Sequence, residues 1–172
     1  MAKTLIIGYG NPDRQDDGVA WHVINQLAAK LELTGFPDSE ETQVHSGKHA
    51  DLMFQLQLTP ETAEVIASYE AVCFVDAHTG AVKNDLNFVE ISPNYQASPF
   101  THHMTPQTCL SIAQNLFKHS PSSAVLVSIR GYSFGFRRDL SEKTLDLAAD
   151  AIEQIYKWIQ NISPSALSNL DK

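Results

Sequence analysis

The segment Asp13-Arg-Gln-Asp16-Asp17-Gly18 places three carboxylates within six residues. Carboxylates ahead of a helix complement its dipole and cap its free amides, which accounts for one or two of them. The adjacent pair Asp16–Asp17 exceeds what capping needs. One of the two can cap while the other faces a cleft as a hard oxygen ligand or a general base. A further acid, Asp76, closes the apolar run Ala71-Val-Cys-Phe-Val75. In a parallel sheet that place lies on the ligand-binding edge. Two adjacent imidazoles, His102 and His103, precede Thr105-Pro106, which has the pattern of a capped helix start. Neighbouring side chains diverge, so one of the two is expected to face a site. Two carboxylates and one imidazole from three loops suit nickel, zinc or iron. Without a fourth strong protein ligand such a site would be open or transient.

Other chemistries lack their signatures. Gly8-Tyr-Gly10 has Asp13 where a dinucleotide loop needs its third glycine, and the nearby acids would repel a pyrophosphate. There is no HExxH and no P-loop spacing. Cys73 lies inside an apolar run and reads as core, not as a nucleophile. His22, His45, His49 and His119 have no supporting context and read as structural or surface groups. His78, two residues beyond Asp76, stands nearer the chemistry.

These residues must be positioned by an alternation of strands and helices. Thr4–Gly8 reads as a buried strand, and Val19, Ala20, Val23, Ile24, Leu27, Ala28 and Leu31 make one helix face. Gln43–His45 reads as a short strand. Ala50–Leu58 reads as a helix with Leu52, Met53 and Leu56 on one side, and Glu61–Ser68 as another opened by Pro60. Ala71–Val75, Leu86–Ile91 and Ala124–Ile129 read as strands, Leu86–Ile91 nearer an edge. The helix from Thr105-Pro106 would bury Leu110, Ala113, Leu116 and Phe117. A final helix, Ser141–Ile159, would bury Leu145, Ala148, Ile152, Ile155 and Ile159. Interleaving of this kind implies an α/β fold, a mostly parallel sheet covered on both faces. Residues 1–162 are expected to form one domain, with 163–172 a frayed Ser/Pro/Asn-rich tail.

The chain has 172 residues, 43% of them hydrophobic, enough for a proper core. Twelve basic residues against twenty acids give a net charge of −8. That balance argues against nucleic acid and against anionic membranes as partners, and it allows a monomer. No apolar run approaches a spanning helix and the N-terminus has no secretory pattern, so a cytoplasmic location is expected. The two cysteines, Cys73 and Cys109, fit reduced thiols.

Four segments, in order, resemble the [NiFe]-hydrogenase maturation proteases. They are Gly8-x-Gly10-Asn11-(x)4-Asp16-Asp17-Gly18, Val75-Asp76-Ala77, His102-x-Met104-Thr105-Pro106, and Phe134-x-Phe136 leading to Leu140-Ser141. The resemblance spans roughly residues 3–160. It implies a three-layer α/β/α sandwich around a twisted five-stranded sheet, phosphorylase/hydrolase-like in architecture. It implies an endopeptidase that trims the C-terminal extension of a hydrogenase large-subunit precursor after nickel insertion. The substrate's nickel would be contacted transiently by Asp17, Asp76 and His102, with no organic cofactor. Gly10, Asn11, Asp16, Gly18 and His103 would support the loops or the substrate. Ala20 stands where the family often has a second glycine, and the segment from His45 to Ser68 is longer than usual. A non-cleaving nickel-site chaperone would use the same residues. The glycine loop also resembles that of peptidyl-tRNA hydrolases, but here it continues Asp13-Arg-Gln-Asp16-Asp17, without the catalytic histidine that theirs has soon after it.

Overall fold

The computed structural model describes residues 3–96 and 103–162. Strand β1 (Thr4–Tyr9) is followed by a 3-10 segment (Pro12–Gly18) and helix α1 (Val19–Lys30). Then come β2 (Asp51–Gln55), α2 (Pro60–Ile66), β3 (Ala71–His78), β4 (Leu86–Glu90), α3 (Pro106–Leu116), β5 (Ser123–Arg130) and α4 (Glu142–Ile162). The sheet order is β2-β1-β3-β5-β4, and only β4 runs antiparallel, on an edge. This is the α/β sandwich expected from the interleaved periodicities.

Strand alternation divides the core into two layers. Ile6, Cys73, Val75, Val125 and Val127 pack with α1 and α4 on one face. Leu5, Ile7, Val72, Phe74 and Ala124 pack with α2 and α3 on the other. Leu5, Ile6 and Ile7 have no exposed surface at all. A central parallel strand is apolar on both faces because helices cover both, and each such side chain contributes about 1.5–3 kcal/mol by burial.

The helix starts are set by short-range chemistry. Thr105 Oγ1 accepts from the Thr108 amide at 3.2 Å, and Pro106 sits where a helix has no use for an amide hydrogen. At α2 the Thr62 hydroxyl accepts from the Thr59 amide at 3.0 Å and donates to Gln55 Oε1 at 2.7 Å. That second bond ties the helix to the end of β2.

Three expectations are corrected. Ala50–Leu58 is not a helix: Asp51–Gln55 is the strand paired in parallel with β1, with Leu52, Met53 and Phe54 all buried. Leu52, Met53 and Leu56 fit a helical period by chance, and Leu56 is 47% exposed. Gln43–His45 contributes one antiparallel bridge, His45 to Leu52, in place of a strand. Leu116 and Phe117 lie at the end of α3, and with Leu145 they are exposed. The first turn of α4 instead buries Thr144, whose hydroxyl donates to the Arg130 carbonyl at 2.9 Å. The tail 163–172 lies outside the described residues. No described helix is long and apolar enough to cross a membrane.

Candidate active site at the β1/β3 switch point

From β1 the chain moves through α1 to β2 on one side, then returns through α2 to β3 on the other. The carboxyl ends of β1 and β3 therefore flank a crevice of the kind in which open α/β sheets bind ligands. The register pairs Gly8 with Val75, which sets Tyr9 beside Asp76 at the mouth. Both follow the alternation of the face that carries α2 and α3, and Tyr9 packs against that layer.

The loop after β1 folds back over the strand end. Gly10 makes this possible: its φ is +144°, and a Cβ there would stand 2.1 Å from the Asp17 carbonyl oxygen. The Asn11 amide donates to Asp17 Oδ2 at 3.0 Å, and the Asn11 side chain caps the turn by accepting from the Asp13 amide. Gly18 closes the turn against Pro12, whose Cα would be 2.5 Å from an added Cβ. Asp17 is thereby held part-exposed at the crevice.

Asp76 is part-buried and accepts from the Ala77 amide at 2.7 Å and from the Tyr9 hydroxyl. Burial pushes its carboxyl up to about 7, and the negative charge of Asp17 adds to the rise. The hydrogen bonds from Tyr9 and Ala77 act against it without cancelling it. Burial beside Asp76 also raises the Tyr9 phenol well above its ordinary value, so Tyr9 is a proton donor at neutral pH. Strand-end geometry thus brings Asp17 and Asp76 together.

Asp16 points elsewhere. It is fully buried and accepts from the amides of Tyr132, Ser133 and Ser141 and from the Ser141 hydroxyl, at 2.7–2.9 Å. Burial alone would raise its carboxyl, but these four donors hold it below its usual value. The strand-to-helix loop 131–141 is thereby fastened to the loop of Asp17. The Gln15 amide donates to the Arg137 carbonyl at 2.8 Å, and the Gly135 amide to Gln15 Oε1 at 2.9 Å.

His102 lies outside the described residues. His103 is exposed, and Met104 packs against the layer that also holds Tyr9. Among the described residues no group of three His, Cys, Asp or Glu side chains is placed to hold a metal. The described part of the crevice offers two oxygen ligands, which by donor chemistry fit a cation that brings other ligands of its own.

The remaining titratable groups have other occupations. His78 Nδ1 accepts from the Gly80 amide and Nε2 donates to the Asp85 carbonyl, so both ring nitrogens organise the turn after β3. His45 stacks on Phe36 and bridges Glu41 and the Thr34 carbonyl. Burial pushes the Cys73 thiol far up and the Cys109 thiol to about 12, so neither is a thiolate at neutral pH. Sequence reasoning missed Tyr9 and the attachment of loop 131–141. Only the β1/β3 register shows the first, and the second joins residues 116 to 125 positions apart.

No protein-family profile matches the chain, and no curated protein matches it in sequence. Solved structures do. The hydrogenase maturating endopeptidase HybD from E. coli is 15% identical, with a TM-score of 0.65 over 92% of this chain and 93% of that one. The [NiFe] hydrogenase maturation protease HycI from Thermococcus kodakarensis is 22% identical, with a TM-score of 0.61 over the same shares. A hydrogenase 2 maturation peptidase from a Thaumarchaeota archaeon is 17% identical, with a TM-score of 0.59 over 91% and 97%. Nearly end to end, the chain has the fold of the solved [NiFe] hydrogenase maturation proteases.

Proposed function

We propose that the chain is an endopeptidase that removes the C-terminal extension of a [NiFe]-hydrogenase large-subunit precursor after nickel insertion. The observation that carries this reading is the pairing of Asp17 with Asp76 at the switch point of a fold shared with such proteases. Asp17 and Asp76, with His102 as third ligand, would contact the substrate's nickel in passing. Bringing two carboxylates together is costly without a cation, and a cation on the substrate relieves that cost. Recognition would thus depend on a loaded metal centre. The substrate's nickel, held by these residues, would supply Lewis acidity at the scissile carbonyl or an acidified water. Alternatively it only positions the peptide, and one carboxylate takes the proton from the attacking water. The chain is expected to work in the cytoplasm as a monomer, with no organic cofactor.

Asp17→Asn and Asp76→Asn test the reading. Each is expected to melt close to wild type and to lower processing at least ~100-fold, since even outer-shell partners of a metal cost 10–100-fold. Full processing by either variant would remove that residue from the assignment.

A further inference from the structure

Loop 131–141 carries an aromatic anchor that nothing in the crevice requires. Phe136 is 94% exposed, more than any other large apolar side chain described. A free loop could bury such a ring, but this one is fixed at both flanks. Asp16 holds Tyr132, Ser133 and Ser141, Gln15 holds Gly135 and Arg137, and Arg14 reaches the Phe134 carbonyl at 3.5 Å. Gln15 adopts φ 50°, ψ −114°, a strained conformation for a residue with a side chain. The strained residue is the one whose amide and side chain make the joint between the two loops.

Charge converges on the same place. Three of the four arginines of the chain lie here, Arg14 on the loop of Asp17 and Arg137 and Arg138 on the fastened loop, while Arg130 ends β5 and pairs with Asp85. The net charge of the whole molecule is −8. Arg137 and Arg138 are more than half exposed even while paired with Asp139 and Asp13. Aromatic and arginine side chains dominate the energetics of protein interfaces, and pre-ordering them lowers the entropy lost on binding.

We propose that Phe136, flanked by Arg14, Arg137 and Arg138, is the docking anchor for the folded body of the substrate protein. It would fill an apolar pocket rimmed by acidic residues on the precursor, outside the segment that enters the crevice. This rests on the reading above and deepens it: the crevice senses the metal, and the fastened loop selects the protein. Through Asp16 the anchor is held at a fixed distance from Asp17, so seating the ring aligns the scissile segment.

The test is steady-state processing of a nickel-loaded precursor by wild type, Phe136→Ala, Phe136→Leu and Arg14→Glu. Phe136→Ala is expected to raise KM about 10-fold or more with kcat within about twofold, at an unchanged Tm. Phe136→Leu should recover most of the loss, and Arg14→Glu should raise KM further as salt is lowered. Equal KM values for wild type and Phe136→Ala would overturn the inference while leaving the endopeptidase reading intact. Failure of wild type to cleave the precursor would remove that reading, and this inference with it.

Discussion

Asp16 and Asp17 are neighbours in sequence and opposites in surroundings. Asp16 is buried and takes four donors, three of them amides of a loop more than 110 residues away. Asp17 is part-exposed, accepts one amide at 3.0 Å, and stands near a second acid whose own carboxyl is pushed up to about 7. The first arrangement satisfies a charge and holds two loops together. The second leaves charge uncompensated where a ligand can reach it. Electrostatic strain in a crevice marks a functional place, whereas a saturated carboxylate marks a structural one.

The contrast can be broken in stability measurements. Asp16→Ala is expected to cost about 2–4 kcal/mol, because three part-buried amides and a hydroxyl lose their charged acceptor at once. Asp17→Ala should cost under ~1 kcal/mol, since it releases a single part-buried amide, that of Asn11. Chemical denaturation of both variants checks this, and equal losses would erase the distinction.

Acid titration sharpens it. Asp16 is held below its ordinary value, so its contribution is fully present above the unfolded pKa of about 3.9 and is lost as pH falls through the lower folded value. Wild type should lose stability below about pH 4 more steeply than Asp16→Asn. His45 acts in the opposite direction. Burial lowers its pKa, but the bonds to Glu41 and Thr34 outweigh burial and raise it overall. Its contribution is present below about 6.5 and is lost as pH rises through the higher folded value. His45→Gln should remove a small decline in Tm on the neutral-to-alkaline side. The smallest effect is expected at Asp13, whose bond to Arg138 is exposed on both sides. Asp13→Asn should change stability by no more than ~0.5 kcal/mol.

The same contrast explains what the sequence could and could not reveal. The long periodic helices and the three central apolar runs have single readings, and they stand where periodicity places them. Asp51–Gln55 reads as helix because its four consecutive buried residues, Leu52 to Gln55, carry no alternation, and burial of that kind is decided by the helices laid over them. Strand-end acids were legible as candidates because a parallel sheet puts its binding edge there. Which of Asp16 and Asp17 faces the crevice depends on donors from loop 131–141, and no local signal announces them. Ser141-x-x-Thr144 looks only like a helix start until the Asp16 carboxylate is seen on the Ser141 amide.

The central claim is that the paired carboxylates read the metal state of a protein substrate and that the chain then cuts it. Its most direct test is the intact mass of a nickel-loaded hydrogenase large-subunit precursor before and after mixing with this protein, beside a nickel-free control. Loss of a short C-terminal peptide from the loaded sample alone is the predicted result. A complex that forms with the loaded precursor and leaves its mass unchanged would contradict the endopeptidase and indicate a chaperone of the nickel site.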